Sequence, residues 1–204
     1  MTRLINQIKF DIRKMIRESD ALLIVDPQKC FCPGGPLAVP EGDQIFPLVN
    51  ELILLFRDLR LPILISRDQH PPKTTHFKIY GGKWPVHGVK GTPDAEFHDA
   101  LFLPPGVILI NKGMGEDEEG YSAFDGFTDG LGDSLEQVLR SKGITRLFIC
   151  GLATDYCVKE TVLRAIELNF EAVLVTEAVR AVNITAGDGD RAIEQMQSMG
   201  ATLV

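Results

Sequence analysis

Four polar residues in this chain could carry hydrolytic chemistry: Asp26, Asp68, Lys112 and Cys157. Each follows a short apolar run of strand type, where a parallel α/β sheet presents its reactive edge. A carboxylate after a strand is often only a turn former, and a lysine before glycine is often only solvated. Four such groups at one edge suggest an acid, a cation and a nucleophile brought together. Cys157 lies in Gly151-Leu152-Ala153-Thr154-Asp155-Tyr156-Cys157, between a strand and a helix. With Thr154 as the N-cap, the thiol falls in the first helical turn, where unpaired N–H groups and the helix dipole favour a thiolate. The layout parallels the nucleophile elbow of serine hydrolases, with sulfur in place of oxygen. Cys150, inside its strand, reads instead as a small buried apolar residue.

A second constellation is Asp68-Gln69-His70 with the distal His87. A D-x-H pair directs two ligands to one side of an extended segment. One further histidine then completes a two-His, one-carboxylate facial set with open positions. His76 and His98 compete with His87 for that third place. Cys30-Phe31-Cys32 lacks the spacing and the second cysteine pair of a thiolate metal site. Glu116-Asp117-Glu118-Glu119 reads as a solvated acidic loop, and no phosphate-binding glycine motif is present.

These groups need a scaffold, and 204 residues are enough for one domain that buries roughly 70% of its unfolded surface. With 45% hydrophobic and 24% charged residues, the composition is that of a globular protein. A net charge of −7 argues against nucleic acid and against a polybasic membrane contact. Apolar runs of about five residues fall far short of the ~20 that span a bilayer. No signal-peptide pattern opens the chain, and four cysteines make no disulfide scaffold, so a cytoplasmic setting is expected.

Six strands are expected at Ala21–Val25, Pro62–Ser66, Val107–Ile110, Arg146–Cys150, Ala172–Thr176 and Ala201–Val204. Helices are expected over Phe46–Arg60, from an Asp133/Glu136 capping box to about Ser141, after Cys157, and over Asp190–Met199. This alternation predicts a single α/β domain: a doubly wound, mainly parallel six-stranded sheet with helices on both faces. The long segment Gln69–Gly106 has little periodicity, and such loops are usually functional. Residues 1–20 read as an amphipathic helical extension, with Ile5, Ile8, Ile12 and Ile16 on one face, packed on the body or on a second subunit. A homo-oligomer is compatible with that reading. The hydrolase domain proper is expected over 21–204.

From Ala21 onward the chain resembles the nicotinamidase branch of the isochorismatase-like cysteine hydrolases. Five blocks carry the resemblance in family order: Asp26-Pro27-Gln28 with Phe31 and Pro33-Gly34-Gly35; Asp68-Gln69-His70-Pro71; Gly82-Lys83-Trp84-Pro85-Val86-His87 with Gly91-Thr92; Lys112-Gly113 with Tyr121-Ser122-Ala123-Phe124; and Gly151 to Val158. The chain departs from the family pattern at Cys30, Gly88 and His76. The resemblance implies a catalytic triad of Asp26, Lys112 and Cys157. It also implies one divalent metal (zinc, or else iron or manganese) on Asp68, His70 and His87. A cis peptide is implied at Leu152–Ala153, with an oxyanion hole from the N–H groups of Ala153 and Cys157. Phe31, Trp84 and Tyr121 are the expected aromatic clamp for a flat ring. The implied reaction is hydrolysis of nicotinamide to nicotinate and ammonia through a Cys157 thioester. An amidase of the same family acting on another small amide or carbamoyl compound is the alternative. A metallohydrolase using metal-bound water, or a silent binding module, would lack a dependence on Cys157.

Overall fold

In the computed structural model, which describes residues 2–204, every expected strand is present and one more joins them. The strands are β1 (Asp20–Val25), β2 (Ile63–Asp68), β3 (Ile108–Lys112), β4 (Phe127–Thr128), β5 (Arg146–Leu152), β6 (Glu171–Arg180) and β7 (Thr202–Leu203). They form one sheet in the order β4-β3-β2-β1-β5-β6-β7. All neighbours are parallel except β3 and β4, which pair antiparallel through Ile110–Thr128 and Asn111–Phe127. The expected six strands are therefore seven. The additional edge strand is only two residues long, too short to show an alternation in sequence.

Strand side chains alternate between two cores. Leu22 and Ile24 of β1 face a cluster with Leu52, Ile53 and Phe56 of helix α2 (Phe46–Asp58), to which Ile12 of α1 (Thr2–Met15) also belongs. Ala21, Leu23 and Val25 face the opposite cluster. That cluster contains Leu135, Val138 and Leu139 of α3 (Leu135–Ser141), Val162 and Ala165 of α4 (Lys159–Glu167), and Ala192 and Met196 of α5 (Asp188–Ser198). Helices thus cover both faces, which is why β1 and β5 are buried at every position.

The start of α3 differs from the expectation by one residue. Ser134, not Asp133, is the N-cap: its Oγ accepts from Gln137 N at 3.2 Å, and Gln137 Oε1 accepts from Ser134 N at 2.8 Å. The hydroxyl and amide make both reciprocal bonds of a capping box. Helix α1 packs on α2, with its Ile5 and Ile8, and Ile16 just after it, against the first core. Its end is tied down where Arg146, paired with Asp20 at 2.7 Å, also donates to Met15 O. Among the described residues, no helix is long and apolar enough to cross a membrane.

Candidate active site

Parallel pairing brings the four polar residues together. Asp68 is level with Lys112 across β2 and β3, and Val25 is level with Gly151 across β1 and β5. The carboxyl ends of four adjacent strands, and the turn after β5, therefore bring Asp26, Asp68, Lys112 and Cys157 to one crevice. Gly151 is required there. Its φ is +119°, and a Cβ would lie 2.1 Å from Val25 O. Asp26 itself sits at φ +47°, a sparsely populated conformation for a non-glycine residue. Ser66 holds it from both ends, since its Oγ donates to Asp26 Oδ1 at 2.7 Å and accepts from Asp26 N at 3.3 Å.

Lys112 is fully buried at the centre. Its Nζ donates to Asp68 Oδ1 at 2.5 Å, Gly120 O at 2.6 Å and Cys157 Sγ at 3.5 Å. These contacts use all three ammonium protons. Asp26 Oδ2 lies 2.8 Å from the same nitrogen as an ion pair, outside hydrogen-bond alignment, so it keeps a lone pair without a donor. Burial pushes Asp26 up to about 6, against the pull of Lys112. Burial would likewise raise Asp68, but Lys112 outweighs it and holds Asp68 well below the usual carboxylate range. Burial works against a charged Lys112 too, yet Asp26 and Asp68 keep it firmly protonated.

Cys157 follows β5 in a π-helical turn, Thr154–Val158, entered through a cis Leu152–Ala153 peptide. Ala153 is the N-cap, without a side-chain cap bond, so Thr154 is one residue inside the turn. The expected thiolate does not follow at rest. Burial pushes the Cys157 thiol well above its ordinary range, against the pull of Lys112. Desolvation, with the charges of Asp26 and Asp68, outweighs the ammonium, so the thiol needs a base, and Asp26 is beside it. Cys30, Cys32 and Cys150 are also buried free thiols raised by burial.

Asp68 also faces the histidines. His70 Nε2 and His87 Nε2 lie 3.5 and 3.8 Å from its Oδ2. His70 Nδ1 bonds Gly113 O at 2.9 Å, and His87 Nδ1 bonds Pro85 O at 2.8 Å. A carbonyl partner places the proton on Nδ1 and turns the Nε2 lone pair inward, the pattern of metal-ligating histidine. His70 Nε2 is buried without any hydrogen-bond partner. Gly113 makes this possible, because a Cβ at its φ of +64° would stand 2.5 Å from the His70 ring. His76 joins them: ligand atoms of His70, His76 and His87 all lie within 4.8 Å of one another. Burial pushes His76 down to about 3, so it too is a neutral donor. His98 stacks on Phe46 instead, 4.6 Å between ring centroids.

A pocket opens above Cys157 and Asp68. Phe31, Trp84 and Tyr121 line it as expected, and so do Leu37, Tyr156 and Val182, which the sequence reading missed. Ser66 was missed as well, and Gln28 stood in the first motif without a role. Gln28 holds the Asp68 backbone from both sides, donating to Asp68 O at 2.9 Å and accepting from Asp68 N at 2.7 Å. Their signal was weak: Ser66 lies two residues before Asp68 on one strand face, and Gln28 two residues after Asp26.

Residues 20–204 match the isochorismatase domain. The chain is 36% identical over 200 residues to a nicotinamidase of Escherichia coli, covering 90% of this chain and 93% of that one. Its fold is similar to a pyrazinamidase of Pyrococcus horikoshii solved in complex with zinc, with a TM-score of 0.84 and 43% identity over 91% of this chain and 98% of that one. It is also similar to an L. infantum protein solved in complex with nicotinate, with a TM-score of 0.81 and 31% identity over 92% of each chain. Strand order, the buried polar cluster and these likenesses agree, and the chain belongs to the isochorismatase family.

Proposed function

We propose that this enzyme hydrolyses nicotinamide to nicotinate and ammonia with Cys157 as the nucleophile. The observation that carries the reading is the buried Lys112 ammonium, in contact with Asp26 and with the Cys157 Sγ and Asp68 that line an aromatic pocket. Asp26 takes the thiol proton through its free Oδ2 lone pair, while Lys112 stabilises the sulfur anion that results. The sulfur adds to the amide carbon, and the N–H groups of Ala153 and Cys157 receive the developing oxyanion. Such a donor is worth about 2.7–4 kcal/mol when lost. Asp26 passes its proton to the departing nitrogen as the C–N bond breaks, which leaves an acyl thioester and ammonia. A water molecule, deprotonated by Asp26, then cleaves the C–S bond to release nicotinate, and the proton returns to sulfur.

The donor set fits a divalent metal, because His70 Nε2 is an inward lone pair with no other partner beside an ionised Asp68. Asp68, His70 and His87 would hold it, and the geometry supports His76 as a further ligand. Bound there, a zinc, iron or manganese ion supplies a Lewis-acid contact for the pyridine nitrogen. Phe31, Trp84 and Tyr121 hold the ring flat between them.

Ammonia release from a panel tests the substrate. Nicotinamide should turn over well. Benzamide, with the same carboxamide and no ring nitrogen, should be poor, and aliphatic carbamoyl compounds should be poorer still. Equal turnover of nicotinamide and benzamide would show that nothing reads the ring nitrogen, and a preference for a carbamoyl compound would favour the sister amidase.

A further inference from the structure

The rim of the pocket contains a contact that the reaction above leaves unused. Lys83, exposed on the 78–88 loop, donates through Nζ to Tyr156 OH at 2.7 Å across 73 residues of sequence. The same ammonium stands 4.6 Å from the Trp84 ring centroid and 4.5 Å from that of Tyr156. Those two rings meet edge to face, with centroids 4.8 Å apart. Trp84 is in turn fixed by its indole N–H, which donates to Tyr121 OH at 2.9 Å. Among the described residues, Lys83 to Tyr156 is the one hydrogen bond from this loop to the Thr154–Val158 turn that carries Cys157.

We infer that Lys83 is a positioning residue, a latch that ties the 78–88 loop to Tyr156 and so holds the Trp84 face of the pocket against a flat aromatic amide. This rests on the functional reading above for its substrate, while the latch itself rests on geometry. Lys83 does not touch Cys157, so it should act on binding rather than on chemistry. The ammonium meets the Trp84 ring and both the ring and the hydroxyl of Tyr156, so it ties two pocket side chains to one loop residue. At an exposed site such a contact is worth about a two- to fivefold change in affinity.

The test compares Lys83→Met, Lys83→Arg, Tyr156→Phe and the double variant Lys83→Met/Tyr156→Phe in the full chain. Lys83→Met should raise KM for nicotinamide about two- to fivefold while kcat stays within about twofold, and Lys83→Arg should restore KM. Tyr156→Phe should raise KM in the same direction, and the double variant should be no worse than the poorer single one. Trp84 is the single tryptophan, so its emission reports the contact directly. That emission should shift in Lys83→Met and recover in Lys83→Arg. An unchanged KM in Lys83→Met, multiplying effects in the double variant, or an equal fall in kcat would overturn the proposal. If the unmodified enzyme released no ammonia from nicotinamide, the functional reading would fall alone. Trp84 emission would still decide the latch, because shifts in Lys83→Met and Tyr156→Phe must not add.

Discussion

At the residue scale, the site turns on how three ammonium protons are shared. Lys112 gives them to Asp68, Gly120 O and Cys157 Sγ, which leaves Asp26 with charge stabilisation but an open lone pair. Asp26 must be ionised to accept the thiol proton, and burial has raised it from 3.8 to about 6. Activity should therefore be low at pH 5, where Asp26 is protonated, and rise through about pH 6. A kcat/KM profile measures this in the free enzyme. A rising limb near 4 would mean that the base is an ordinary exposed carboxylate. The histidines give a second prediction. His87→Ala and His76→Ala should each weaken metal affinity at least about tenfold, whereas His98→Ala, stacked on Phe46, should not. Metal content after dialysis reads all three. The sequence alone placed His76 among the competitors for one ligand position. Nothing in a linear spacing could show that the loop folds back and stacks His76 on His70, with centroids 4.7 Å apart.

At the scale of elements, much of the frame was legible because apolar runs bounded by Asp-Pro, Arg-Asp and Asn-Lys are strong strand endings. The parallel register then put Asp26, Asp68 and Lys112 at one edge without further information. What escaped was short or depended on tertiary contact. β4 has two residues, α3 begins one residue later than its acidic neighbour suggested, and β6 runs to Arg180 rather than Thr176. The thiolate expectation failed for a different reason. A turn at the end of a strand was legible, but the burial of Cys157 was not, and burial is the largest influence on its protonation. The close approach of β5 to β1 carries its own prediction. Gly151→Ala would drive a Cβ into the Val25 carbonyl at a φ that alanine rarely adopts. It should destabilise the fold by more than ~1 kcal/mol and displace the Cys157 turn. Thermal unfolding should show a lower Tm, and an unchanged Tm would mean that the strand can move aside freely.

At the scale of the whole molecule, two cores on opposite faces of a seven-stranded sheet hold the fold without help from the site. The metal-ligating candidates sit at strand ends and on the loops between them, so folding and metal binding should separate. Chelation should lower activity and substrate affinity strongly while leaving a single cooperative thermal transition. Loss of that transition would make the site a structural one. The same separation allows the central claim, that sulfur rather than metal-bound water attacks the amide, to be tested directly. Cys157→Ala removes only a sulfur from the pocket floor and leaves Asp68 and the histidines intact. The measurement is ammonia release from nicotinamide by this variant, with metal content and Tm determined on the same sample. The account predicts unchanged metal and fold with activity down at least about 1,000-fold. Substantial turnover by a folded, metal-loaded Cys157→Ala protein would contradict it.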